Sequence, residues 1–137
     1  MILEATTLFD TPQYSNIIAM EALKHGRGKY TSKEIKKTLE TAITGFIGAK
    51  VESYQQYSES YKDSNKPLVC IHTGNWGCGA FGGNVSLMCL IQIFAARIAG
   101  IDELYYHLTA TSFRQQCAKA AEIVEQLIQQ ITKGGGK

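Results

Sequence analysis

At 137 residues, with 45% hydrophobic and 19% charged side chains, the sequence suits one compact domain and excludes both a two-domain chain and a disordered one. A net charge of +2 lies far below the basic excess of proteins that draw their affinity from nucleic-acid phosphates, so direct nucleic-acid binding is not expected. No apolar run approaches the roughly 20 residues that cross a bilayer, and the opening MILEATTLFD lacks a basic segment followed by a hydrophobic one. The expectation is an intracellular protein, cytoplasmic or nuclear, neither secreted nor membrane-bound. Cys70, Cys78, Cys89 and Cys117 form no CxxC pair and sit mostly within apolar patterns, which predicts reduced thiols and no metal site or cofactor.

Along the chain, residues 14–23 (YSNIIAMEAL) are too short for periodicity to separate a buried strand from two helical turns. From Thr31, Ile35, Leu39, Ala42, Ile43 and Phe46 recur at helical spacing behind a capping box of Thr31 and Glu34, predicting an amphipathic helix that ends near Gly48. Residues 49–66, rich in Tyr, Gln, Ser and charge, read as a surface excursion before Pro67. Tyr54, Tyr57 and Tyr61 would form one stripe on a helix there, a packing pattern before a base-stacking one. Leu68–Ile71 reads as a buried strand, and Val85–Ile98 as a helix apolar on nearly all sides with Gly100 as its stop. Glu103–Leu108 gives a second strand and Ser112–Ile131 a second amphipathic helix, followed by a flexible tail at 133–137. The order strand, helix, strand, helix predicts an α/β fold whose sheet is mostly parallel or mixed, with flanking helices.

The chemical information is concentrated in His72–Asn84, HTGNWGCGAFGGN. Gly74, Gly77, Gly79, Gly82 and Gly83 let the backbone amides of a strand-to-helix turn approach a ligand closely, and the helix start that follows favours an anion such as a diphosphate. Trp76 and Phe81 would add aromatic surface for an attached sugar or base; as core residues they would instead serve tight strand-to-helix packing. Gly77, Gly79 and Gly82 also match GxGxxG, but a nicotinamide site needs an acid at the exit of the second strand. Asp102 and Glu103 open that strand instead, and Leu108 stands at its exit.

TGNWGCGAFGGN at Thr73–Asn84, followed by LIQIFAA at Leu90–Ala96, resembles the signature of the poly(ADP-ribose) glycohydrolase family. The resemblance extends back through NIIAMEAL and TAITGFIG and forward to LYYHL, covering roughly residues 12–110. It implies a macrodomain-like fold, here its C-terminal half as a single truncated domain over 1–137, and makes Ile17–Leu23 a strand. It also implies cleavage of ribose–ribose bonds in poly(ADP-ribose), with ADP-ribose diphosphate held by Asn75, Gly77, Cys78, Gly79, Ala80 and Phe81, and Phe81 beside a ribose.

The family's glycine-rich loop followed by Gln and paired Glu does not occur in these 137 residues, and neither does its tyrosine-rich adenine segment. Leu108 stands where the family has an adenine-stacking Phe, and Asn84 where it has Asp. Glycosidic cleavage requires a positioned carboxylic acid. Glu21, Asp63, Asp102 and Glu103 are the candidate replacements, and each reads as a surface charge, so no catalytic residue is assigned. Cys78 beside a helix start, with His72 or His107 as base, is a separate chemistry that nothing in the spacing requires, and His25 belongs to a solvated basic turn. The expectation is a catalytically inactive relative that acts as a structural or interaction subunit and keeps weak ADP-ribose affinity, its incomplete sheet covered by a partner protein or large assembly. The alternative is one half of a split active glycohydrolase.

Overall fold

The computed structural model describes residues 16–23, 26, 28–60, 67–108 and 110–134. His25, Tyr61 and Asp63 lie outside the described residues, as do residues 135–137 of the expected tail. Three helices and a two-stranded parallel sheet follow one another as α1 (Ser32–Ser60), β1 (Cys70–Thr73), α2 (Val85–Ala99), β2 (Glu103–Tyr106) and α3 (Arg114–Gly134), with a 3₁₀ turn at Thr111–Phe113 leading into α3. This is the α/β order expected, a partial macrodomain-like arrangement.

α1 starts where its capping box predicts. Glu34 Oε2 accepts from the Thr31 amide at 2.8 Å and from Thr31 Oγ1 at 2.7 Å, while the Glu34 amide donates to Thr31 Oγ1 at 3.3 Å. The helix does not stop at Gly48. It runs 29 residues, so residues 49–60 continue it, with Tyr54 and Tyr57 half-buried. Glycine inside a helix costs only about 1 kcal/mol relative to alanine. Burial of Ala42 and Phe46 in the preceding turns, with Ala49 packed against the same core, outweighs that cost.

α2 packs against both α1 and α3 and carries half of the buried apolar residues described: Met88, Cys89, Ile91, Ala95, Ala96 and Ala99. Its apolar circumference is thus used on two sides. Asn84 caps its start by accepting from the Leu87 amide at 2.9 Å, and Gly100 ends it in the left-handed region at φ 63°. Lys50 Nζ of α1 donates to the carbonyls of Ala99 and Gly100, both at 2.9 Å, fastening α1 to the end of α2. The exposed pair Arg97–Glu125 links α2 to α3.

β1 pairs with β2 in parallel, Cys70 opposite Glu103 and Thr73 opposite Tyr106. The first strand begins two residues later than Leu68 because Asp102 Oδ2 accepts from the Val69 amide at 2.9 Å, and Leu68 is exposed. Along the ladder, Ile71 is buried and Leu104 and Tyr106 are half-buried, whereas Cys70, His72, Glu103 and Tyr105 are exposed on the other face. The expected strand at Ile17–Leu23 is not formed: residues 16–23 join no ladder among the described residues.

Thr31→Ala removes both side-chain bonds of the α1 cap, and urea denaturation is expected to read a loss of about 1 kcal/mol. The Thr31 amide, and after it the Thr31 hydroxyl, hold the Glu34 carboxyl below its ordinary value, and only the hydroxyl's part is lost in Thr31→Ala. The cap's contribution is therefore present above the unfolded glutamate pKa and fades as pH falls through the lowered one. A Thr31→Ala deficit unchanged between neutral and strongly acid pH would contradict this assignment.

Candidate functional site

The loop from Gly74 to Asn84 leaves β1 and enters α2, and its shape follows from short-range backbone bonds. Trp76 N donates to Gly74 O at 2.7 Å, Cys78 N to Asn75 O at 3.0 Å, Gly82 N to Gly79 O at 2.9 Å and Gly83 N to Gly77 O at 3.0 Å. Three glycines are required by geometry, Gly82 among them at φ 67°. Gly77 sits at φ 71°, and at Gly83 a Cβ would lie 2.7 Å from the Gly77 carbonyl oxygen, a backbone atom that cannot step aside. Gly79, Ala80 and Phe81 are exposed at the tip, and among the described residues their amides donate none of these backbone bonds.

Gln92 fixes the loop to α2. Fully buried in an otherwise apolar helix, it accepts from Thr73 Oγ1 and donates from Nε2 to Gly74 O and to Met88 O, both at 3.1 Å. Tyr30 fixes the other side: its hydroxyl donates to Gly26 O at 2.5 Å and accepts from the Asn84 amide at 2.8 Å. Neither residue is among those assigned to the site from the sequence. A lone Gln inside LIQIFAA was a legible signal, whereas nothing near Tyr30 distinguishes it from a surface residue.

The predicted site residues divide. Asn75, Gly77 and Cys78 are half-buried at the base of the loop, and Gly79, Ala80 and Phe81 form its tip, with Phe81 46% exposed. Asn75 Oδ1 accepts from Tyr106 OH at 3.3 Å, which ties the loop to the exit of β2. Trp76 behaves as a packing residue: it lies against the buried core and its Nε1 donates to Met20 O at 3.3 Å. Asp102 and Glu103 stand at the entry of β2, the end opposite the loop, as a nicotinamide site would not have them. Glu21 pairs with Lys37 at 3.1 Å.

Cys78 and the histidines are not assembled as a nucleophile and base. Cys78 Sγ donates to Trp76 O at 3.4 Å, and His72 Nδ1 faces His107 Nε2 at 2.8 Å. Burial pushes the Cys78 thiol up, with a smaller push from Cys117. Cys89 behind it is raised further, by burial and by Cys117, and burial likewise raises Tyr106. Burial thus keeps the Cys78 and Cys89 thiols neutral, and neither is an activated nucleophile.

The pattern that defines the family described as poly(ADP-ribose) glycohydrolase (PARG), macro domain fold, matches residues 4–116. The chain belongs to the poly(ADP-ribose) glycohydrolase family. Poly(ADP-ribose) glycohydrolase 1 of Caenorhabditis elegans is 36% identical over 78 residues, which are 56% of this chain and 9% of that protein. Probable poly(ADP-ribose) glycohydrolase 2 of Arabidopsis thaliana is 31% identical over 72 residues, 53% of this chain and 13% of its own length. The chain thus aligns with a small part of either glycohydrolase.

Gln92→Leu should remove the acceptor of Thr73 Oγ1 and one of the two donors on the Gly74 carbonyl, and cost about 1–3 kcal/mol of stability by chemical denaturation. At pH 8 the raised Cys78 thiol holds less thiolate than free cysteine, whose pKa is about 8.5, so iodoacetamide should label it several-fold more slowly. Labelling at the free-cysteine rate would mean the thiol is not desolvated.

Proposed function

We propose that the chain is a non-catalytic member of the poly(ADP-ribose) glycohydrolase family that serves as an interaction subunit and retains weak affinity for ADP-ribose through Asn75, Gly77, Cys78, Gly79, Ala80 and Phe81. One observation carries the reading: the loop offers the unbraced amides of Gly79, Ala80 and Phe81, while the described carboxylates that could serve as an acid are engaged elsewhere. Glu21 is paired with Lys37, Asp102 holds the Val69 amide, and Glu103 accepts from Tyr105 OH at 2.5 Å. Protonation of the leaving oxygen by a positioned acid contributes about 10² to 10⁴ in rate, so a loop without one binds rather than cuts. Phe81, 46% exposed at the loop tip, would lie along a ribose and add apolar contact to the amide–diphosphate bonds.

A second reading is favoured by the outer edge of β1, which pairs with no strand among the described residues: a separate polypeptide supplies the carboxylates and completes an active glycohydrolase. Isolation of the native complex separates the two. A partner carrying a glycine-rich loop with Gln and paired Glu, and hydrolysis by the complex, favours the enzyme; a scaffold protein without it favours the subunit.

For the loop itself, titration with ADP-ribose should shift the amide resonances of Gly79, Ala80 and Phe81 with a dissociation constant of about 0.1–1 mM, a binding free energy of roughly 4–5.5 kcal/mol. Gly83→Ala, which forces the loop apart, should weaken that response at least about tenfold, or about 1.4 kcal/mol. Absence of any shift at millimolar ligand removes ADP-ribose from the reading.

A further inference from the structure

The last residue of β2 brings a phenol to the base of the loop. Tyr106 pairs in register with Thr73, and the His107 amide donates to Thr73 O at 2.8 Å, so the two strands end together where the loop begins. Asn75 lies two residues beyond Thr73. Its backbone is held by the Cys78 amide, which donates to Asn75 O at 3.0 Å. What the turn leaves to be set is which end of the Asn75 carboxamide faces which neighbour.

A carboxamide has an acceptor end, Oδ1, and a donor end, Nδ2 with two hydrogens, and the two are nearly equal in shape. Packing alone cannot choose between them; a hydrogen-bond partner of fixed polarity can. Tyr106 is such a partner. Its hydroxyl donates to Asn75 Oδ1 at 3.3 Å, and its side chain is half-buried. Burial, and after it the neighbouring Cys89, Cys117 and Cys78, push the phenol up, so the oxygen keeps its hydrogen. Gln92 opposes that rise, as a donor to the same oxygen does, and thiols are weak acceptors. The hydrogen of Tyr106 is thereby directed to Asn75, where an unmade bond would leave a half-buried hydroxyl short of a partner.

With Oδ1 turned to Tyr106, the donor end of Asn75 points away from the phenol. That end matches the oxygens of a diphosphate, which carry negative charge and only accept. The opposite flip would set a lone pair against them.

We propose that Tyr106 is a positioning residue of the ligand loop: its hydroxyl holds Asn75 Oδ1 so that the Asn75 amide hydrogens meet a diphosphate oxygen of ADP-ribose. The inference rests on the ADP-ribose reading of the loop, and adds to it the group of Asn75 that is used and the residue that selects it. Two hydrogens on Nδ2 allow one to serve the ligand while the other keeps a protein partner. Tyr106 acts through Asn75 alone, and that separates its role from packing.

The test is a double-mutant cycle on the full chain, with ADP-ribose binding followed by amide resonances. Tyr106→Phe, which removes the hydroxyl and keeps the ring, should weaken ADP-ribose about three- to tenfold, the effect of one lost hydrogen bond. Asn75→Ala should weaken it at least as much, and in that background Tyr106→Phe should have no further effect. Asn75→Asp, the same shape with an oxygen in place of Nδ2, should bind more weakly than Asn75→Ala, because its carboxylate repels the diphosphate. In the unmodified chain, inorganic pyrophosphate should shift the Asn75 Nδ2 resonances and adenosine should not. Equal losses from Tyr106→Phe with and without Asn75 would overturn the positioning role and leave the ADP-ribose reading standing. So would an Asn75→Asp chain that binds as tightly as the original, or Nδ2 resonances that answer adenosine but not pyrophosphate, a measurement that needs no variant to fold. Absence of binding by the unmodified chain at millimolar ADP-ribose would remove both.

Discussion

The buried amide of Gln92 is the constraint on which the rest of this arrangement depends. Its three hydrogen bonds join the last residue of β1, the first residue of the loop and the preceding turn of α2, so strand, loop and helix hold a single relative position. A polar side chain in an apolar interior is tolerated only when its groups are paired, and here each pairing fixes a backbone position. The glycine turns downstream need that fixed origin. Gly83 can approach the Gly77 carbonyl closely because the start of α2 is held from one side by Gln92 and from the other by Tyr30.

Much of this was legible in the sequence, and the misses share a cause. The cap at Thr31 and Glu34, the stop at Gly100 and the strand-to-helix loop depend on neighbours within a few residues, and local chemistry is what spacing records. The extension of α1 through Gly48 and the displacement of β1 by two residues depend on groups far along the chain, Ala49 against the α2 core and Asp102 on the Val69 amide. Residues 16–23 show the limit most clearly. Their apolar content and family resemblance read as a strand, but a strand also needs a neighbour within hydrogen-bonding distance, and they pair with none among the described residues.

Within the site, the glycine positions were readable because each enforces a backbone geometry, whereas the fates of the two aromatic rings were not. Trp76 and Phe81 sit five residues apart in the same loop, yet one lies against the core with its indole nitrogen bonded to Met20 and the other is at the tip in solvent. Composition cannot distinguish them, because the difference lies in which side of the turn faces α1. The histidines illustrate the same point: His72 and His107 meet, but with each other, on the sheet face away from the core.

The two ends of α2 are treated unequally. At its C-terminus the ammonium of Lys50 neutralises the carbonyls of Ala99 and Gly100, while at its N-terminus Asn84 caps with a neutral amide where a carboxylate would have contributed a full negative charge. With one pole of the macrodipole cancelled and the other left standing, the helix projects a net positive potential into the loop, stronger in dilute buffer than at high ionic strength.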